Sequence, residues 1–416
     1  MTTRRAFADA PARVDGRDLL LAAGVAALCT ALLWFRTDHL TPGTPYFGLP
    51  WDHHMYIAMA VHGPFGFHIA PYGWRVLAPA LVWAMPFPAQ PGFQLVSIVT
   101  VWGTGVAVWV LLRRFGFDPP IAIAGLLLYF AVGYATKWTL FDFWLTDPLA
   151  FLLATCAVLL AMSGRDVAFA VCLALGTMAK ESVIFVAPLA YTLRATRPWD
   201  RGLAMRTIGA TLPAVAVLVA LHVGIPGRNA DPAYVATFPP AIRDNVIRHY
   251  TYGSVLHHIV AKRVDHLGST LIRTVSAFGL VVPVLAVIGL RSPRARSFAL
   301  RSLPFLLLVL TQLLFAYNTE RLLVLGLIAV VPLATWGLQQ LMELRGAGPA
   351  VYVVLAATVF AVQLVGMHEW EPNPLVQLGI LAVFVPFVGP WRPGRRRGAA
   401  MRAPRPAGAP AAVPPP

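Results

Sequence analysis

Between residues 51 and 79 the chain reads WDHHMYIAMAVHGPFGFHIAPYGWRVLAP, gathering Asp52, His53, His54, His62, His68 and Arg75 into one short interval. A carboxylate can take a proton from a hydroxyl, an imidazole exchanges one near neutral pH, and a guanidinium fork suits a phosphate or a carboxylate. Elsewhere ionisable residues interrupt apolar sequence at few points: Asp147 in LTDP, Lys180-Glu181 in GTMAKESVIF and Glu320-Arg321 in NTERLL. Such residues are costly inside a membrane segment and count as functional candidates by default.

Each has a plainer reading. Asp52 is also placed to cap a helix whose Trp51 and Tyr56 anchor in headgroups, and a helix N-terminus would keep its carboxylate ionised. Arg75 could snorkel, Asp147 could be an N-cap, and Lys180-Glu181 and Glu320-Arg321 could be local ion pairs. The four histidines lack metal-ligand spacing and no HExxH occurs, so hydrogen-bonded or interfacial histidine outweighs a metal site.

The elements that must position these residues are membrane helices. The 416-residue chain is 58% hydrophobic and only 12% charged, too little polar surface for a soluble domain of this length. Continuous Leu/Ala/Val runs without period-2 alternation select helices over a barrel. Spans are expected near 19–35, 93–112, 119–135, 148–162, 167–179, 182–193, 207–223, 274–290, 303–317, 322–342, 350–366 and 375–390. Several fall short of the ~20 residues a perpendicular helix needs. The short runs flanking Lys180-Glu181 are the best candidates for half-helices. Residues 73–88, with Arg75, Pro79, Pro86 and Pro88, read as a helix on the membrane surface.

The net charge of +15 is a matter of topology rather than nucleic-acid binding. With the surface-helix reading, 22 of the 33 basic residues collect on one side, the expected cytoplasm, with both termini. The histidines and Asp38, Asp52, Asp142, Asp147, Asp231, Asp244, Asp265, Glu320, Glu369 and Glu371 collect on or near the other. Cys29, Cys156 and Cys172 lie in apolar runs and offer no disulfide framework. The expected organisation is a cytoplasmic segment 1–18, one membrane domain 19–390 with long outer loops 36–92 and 224–273, and a basic, disordered Pro/Ala-rich tail 391–416. In the second loop VIRHYTYGSVLHHIVAKRVDHL could lie on the membrane and meet a lipid phosphate, or serve only as a lid.

In order, WDHHMYIAMAVHG, YGWRVLAPAL, LTDPLAFLL, GTMAKESVIFVAPLAY and NTERLLVLGLIAVVP resemble the GT-C superfamily of integral-membrane glycosyltransferases, which includes GPI mannosyltransferases, protein O-mannosyltransferases and bacterial lipid A aminoarabinose transferases. The apolar runs give an all-α polytopic transmembrane bundle of about 10–13 spans, and the resemblance implies a GT-C-like arrangement with juxtamembrane helices in the first outer loop. It implies a polyprenyl-phosphate-linked sugar as donor and a lipid, glycan or protein acceptor at the outer face of the membrane; the Ala/Arg/Pro-rich composition points to a bacterial inner (plasma) membrane. Asp52 would be the catalytic base, with His53, Tyr56, Arg75, Asp147, Lys180, Glu181, Glu320 and Arg321 in substrate binding, and Arg248, Lys262 and Arg263 behind them. His53 stands where many members carry a second acid, which leaves a divalent metal open.

The competing reading is a lipid-linked-sugar flippase or transporter. It predicts mid-membrane charges and broken helices in both halves of the chain, whereas the sequence shows one evident break, at Lys180-Glu181. A scaffold without enzymatic activity, in an envelope assembly, would lack a polar cavity altogether.

Overall fold

A computed structural model of the chain describes residues 15–246, 260, 267–314, 318–345, 348–365 and 374–388. Every regular element among the described residues is helical. The first part of the chain forms α1 (Gly16–Phe35), α2 (His53–His62), α3 (Leu77–Trp83), α4 (Ala89–Arg114), α5 (Pro119–Phe130), α6 (Lys137–Phe141), α7 (Asp147–Met162), α8 (Asp166–Ala179), α9 (Ala187–Thr192) and α10 (Arg201–Gly224). The main later helices are Leu267–Ser276, Val281–Gly289, Pro293–Thr311, Thr319–Leu323, Leu327–Arg345, Pro349–Ala361 and Pro374–Val388. The basic tail and most of the segment 244–265 lie outside the described residues, as do Arg248, Lys262, Arg263, Glu369 and Glu371.

Local sequence explains the helix starts. Asp15 and Asp200 accept hydrogen bonds from the backbone N–H groups of Arg17 and Leu203 (3.1 and 3.0 Å), satisfying donors that a first turn leaves open. Pro119, Pro148 and Pro293 stand in first turns, where the missing N–H is harmless. Arg113 and Arg114 close α4 with positive charge against its carbonyl end.

Among the described residues five helices are long and apolar enough to cross a membrane: Gly16–Phe35, Ala89–Arg114, Arg201–Gly224, Pro293–Leu314 and Thr319–Leu344. Two bent pairs raise this to seven. The ten to thirteen spans expected from hydropathy include apolar runs that fold as shorter helices, such as Asp147–Met162, Asp166–Ala179 and Glu181–Thr192. The bent pairs also revise the expectation of a single break. Pro119–Phe130 meets Gly133–Phe141, and Leu267–Ser276 meets Val281–Gly289, each at 80°. The anticipated break is present too: Lys180 is extended (φ −160°, ψ 130°) between α8 and a 3-10 turn.

Ala89–Arg114 and Thr319–Leu344 are mostly buried, while α1, α10 and Pro293–Leu314 form the periphery. Leu20, Leu21, Val223, Leu300 and Leu307 point outward from those outer helices. Such surface would be unfavourable in water by ~25 cal/mol per Å², but it is the natural face toward lipid.

Helix direction sorts the charges. Arg194 pairs with Asp166 (2.6 Å), and Arg301 donates to the carbonyls of Thr192 and Ala195, so the starts of α8 and α10 share an arginine-rich end. At the opposite end, Arg36 donates to the Leu364 carbonyl, Leu40 to that of Phe141, and Trp74 to that of Ile225. Helices α7 and α8, of 16 and 14 residues, rise about 1.5 Å per residue and run antiparallel with nearly matched lengths. The start of one therefore meets the end of the other, bringing Asp147 to Lys180.

The buried helix Leu327–Arg345 is seated by close backbone contact with Val281–Gly289. A Cβ on Gly337 would overlap the Leu285 carbonyl oxygen, and one on Gly289 would overlap that of Leu333. Small residues let membrane helices approach in this way. Gly337→Leu is expected to lower the melting temperature sharply in detergent and to broaden the size-exclusion peak. Gly209→Leu, where nothing lies within 4 Å, should behave as wild type; equal behaviour of the two variants would contradict the close crossing.

Candidate functional site

Five separate pieces of chain meet at the acidic end of the bundle. Asp52 precedes α2 and makes no capping bond with its side chain, so the capping role open to it in the sequence is not taken. Its carboxylate instead contacts the Arg321 guanidinium at 2.5 Å and accepts a hydrogen bond from the Tyr72 hydroxyl at 3.0 Å. Arg321 turns its other face to Asp147, with Nε and Nη2 at 3.0 and 2.8 Å from Oδ2. Lys180 Nζ meets the remaining Asp147 oxygen at 2.5 Å. Asp147 is thus held by two cations, well beyond an N-cap.

A second pair flanks this chain of charges. Arg75 Nε donates to Glu181 at 3.0 Å, and its Nη1 to the Tyr56 hydroxyl at 3.2 Å. Arg75 sits just before α3 rather than opening it. The Asp147 side chain is fully buried, with Lys180 and Arg321 at 6% and 10% exposure, while those of Asp52 and Glu181 retain 24% and 23%. The arrangement is a buried ionic floor with a partly open rim.

Each contact traces to local folding. Tyr56 is placed by α2, whose inward face carries His53, Met55, Tyr56, Met59 and Ala60 at helical spacing. Lys180 and Glu181 are freed by the break after α8. Arg321 is set by a short helix whose N-cap, Asn318, accepts from the Arg321 backbone N–H at 3.3 Å. The loop carrying Tyr72 and Arg75 is fastened from the end of α10 and the second outer segment: His222 in the last turn of α10 stacks on Trp74, and Asn229 exchanges two hydrogen bonds with Ala70 (2.8 and 2.9 Å).

Burial pushes the Asp52 carboxyl up, but the Arg321 contact, the charge of Arg75 and the Tyr72 hydrogen bond outweigh it and hold it below the ordinary carboxylate range. Asp52 is therefore an anion at neutral pH and a weak base while Arg321 holds it. Burial and the neighbouring Asp52 charge push the Tyr72 phenol well up, so it remains a donor.

Of the residues expected in the site, Asp52, Tyr56, Arg75, Asp147, Lys180, Glu181 and Arg321 come together. His53 does not join their hydrogen-bond network. Its ring is fully buried against Phe47 and His54, and its Nε2 faces the Phe47 carbonyl at 3.1 Å. Burial and His54 push its pKa down to about 4, leaving it neutral. Glu320 and Arg321 do not form the local pair considered from sequence: Arg321 turns to the two aspartates, and Glu320 lies 3.6 Å from Arg273. Tyr72 joins the site without having been singled out. Its signal was its place in PYGWR, three residues before Arg75.

Among the described residues no three His, Cys, Asp or Glu side chains group as metal ligands. The cation positions beside Asp52 and Asp147 are taken by Arg321 and Lys180. No family model, curated protein or solved structure matches the chain.

Removing one partner of a buried pair leaves an uncompensated charge and costs about 3–5 kcal/mol. Arg321→Met is therefore expected to lower the apparent melting temperature strongly, and adding Asp147→Asn to restore part of the loss. A single variant as stable as wild type would contradict the ionic floor.

Proposed function

We propose that the chain is a membrane glycosyltransferase that moves a sugar from a polyprenyl-phosphate carrier to an acceptor hydroxyl, with inversion and with Asp52 as base. The observation that carries the reading is the contact between Asp52 and Arg321, 269 residues apart in sequence. It joins a carboxylate able to take a proton to a guanidinium able to hold a phosphate, at a partly open rim. Lipid-linked donors need no nucleotide-binding loop, and the chain has no Gly-rich phosphate loop beside a strand.

The chemistry follows from those charges. The acceptor oxygen forms a bond to the anomeric carbon, the bond from that carbon to the phosphate oxygen breaks, and the acceptor proton passes to Asp52. Negative charge grows on the departing phosphate, where a fixed cation contributes most. Arg321 and Arg75 are the groups for this, with Lys180 holding Asp147 and hence Arg321 in place. A phosphate that draws the Arg321 fork away from Asp52 removes the main interaction lowering its pKa, so donor binding itself makes Asp52 a better base. Arg321 and Lys180 already supply positive charge beside Asp52 and Asp147, and each step above uses these side chains.

The resemblance in sequence supports the same class, and the apolar periphery suits a lipid-borne donor. In this reading the arginine-rich end faces the cytoplasm and the site opens on the outer face of an inner (plasma) membrane, toward a lipid, glycan or protein acceptor. The two 80° bends favour a second reading, a flippase or transporter, since broken helices recur in such folds. The location of Asp52, Arg75 and Glu181 on a rim outside the long helices favours the enzyme.

Asp52→Asn is expected to reduce transfer of labelled sugar from polyprenyl-phosphate donors by about 10²- to 10⁴-fold without loss of folding, and the wild type should tolerate chelator. Undiminished transfer in the variant would remove Asp52 as base. Vesicle translocation of the lipid-linked sugar without transfer would establish the transporter.

A further inference from the structure

A further carboxyl, beyond Asp52, Asp147, Glu181 and Glu320, lies at the same end of the bundle. Asp142 follows α6, its backbone N–H donating to the Trp138 carbonyl at 2.9 Å, and the residue is 2% exposed. It is close enough to Arg321, Asp52 and Asp147 for their charges to act on it. Its Oδ1 is buried and has no hydrogen-bond partner, and neither has the buried hydroxyl of Thr146, four residues on.

Charge counting separates Asp142 from the other acids. Asp52, Asp147 and Glu181 are matched in direct contact by Arg321, Lys180 and Arg75. Among the described residues no cation contacts Asp142. A backbone hydrogen bond from Trp144 favours the ionised form, but a buried carboxylate with no cation in contact is disfavoured and takes up a proton instead. Once protonated it carries a hydrogen to donate, and the protein supplies no acceptor at Oδ1.

We propose that Asp142 is a ligand-contacting residue of the site, a buried carboxylic acid that donates its hydrogen to an oxygen of the bound sugar phosphate. The identity of that ligand rests on the glycosyltransferase reading; the protonated acid does not. Burial pushes the Asp142 carboxyl up to about 8, with the charge of Arg321 and a hydrogen bond from the Trp144 backbone opposing this and the charges of Asp52 and Asp147 adding to it. Asp52 lies in the opposite direction, below the ordinary range. Carboxyls driven apart in this way mark different roles, one ionised to accept a proton and one neutral to donate a hydrogen bond.

The test uses the full chain in nanodiscs, with a short isoprenyl monophosphate as probe and inorganic phosphate as the headgroup-only control. Asp142→Leu should bind the isoprenyl phosphate at least about tenfold more weakly with its melting temperature unchanged or raised. Asp142→Asn, which keeps a neutral donor, should bind within a few-fold of wild type. Wild-type affinity should fall as pH rises through about 8, because the acid loses its hydrogen and gains a charge beside the phosphate. The Asn variant should lack that step.

Infrared spectroscopy supplies a readout free of ligand: wild type should show the C=O stretch of a protonated acid that disappears in Asp142→Asn. Binding by the Leu variant equal to wild type would overturn the contact, and absence of the infrared band would overturn the protonated acid. If wild type binds neither probe, the sugar-phosphate reading falls and the infrared band alone decides on Asp142. Should the Leu variant fail to fold, the pH step and its loss in the Asn variant decide.

Discussion

Arg321 between Asp147 and Asp52 is the contact on which the site depends. A guanidinium is planar and presents donors on more than one edge, so one side chain can grip a buried carboxylate and still reach a second at the rim. Lys180 occupies the other Asp147 oxygen and keeps the buried charges balanced. Five pieces of chain are thereby fixed to each other by a few hydrogen bonds, in surroundings that are otherwise apolar.

Such a floor is an expensive structure. Buried ion pairs seldom add net stability over well-packed apolar side chains, because desolvation offsets most of the Coulomb attraction. Their retention here makes sense as positioning. Asp147 is completely buried and cannot meet a ligand while both its oxygens are held, whereas Asp52, Glu181 and Arg75 lie toward the opening. The buried part orients Arg321, and Arg321 in turn sets the state of Asp52. The glycine contact between Val281–Gly289 and Leu327–Arg345 serves the same end, since it seats the helix that follows Arg321.

Much of this was legible in the sequence because it is local. Helix starts at Asp15, Pro148 and Asp200 carry their own signals, and Lys180-Glu181 marks a break because charge inside an apolar run must have a reason. The bends after Phe130 and Ser276 carry no comparable mark: the first falls in Ala131-Val132, and the second is turned by Gly279 at φ +69°, one glycine among 33. The partners of Arg321 were not legible at all. Sequence proximity favours Glu320, while the contacts formed are 174 and 269 residues away, and only tertiary packing selects them. For the same reason His53, adjacent to Asp52, faces the Phe47 carbonyl, and Tyr72, twenty residues on, supplies the hydrogen bond.

The central claim is that a phosphate competes with Asp52 for Arg321. Its most direct test is an experimental structure of the protein in nanodiscs with a polyprenyl monophosphate bound. The expected result places a phosphate oxygen on the Arg321 fork where Asp52 now sits, with Asp147 and Lys180 unmoved. A bound phosphate elsewhere in the bundle, with the Asp52–Arg321 contact intact, would contradict the account.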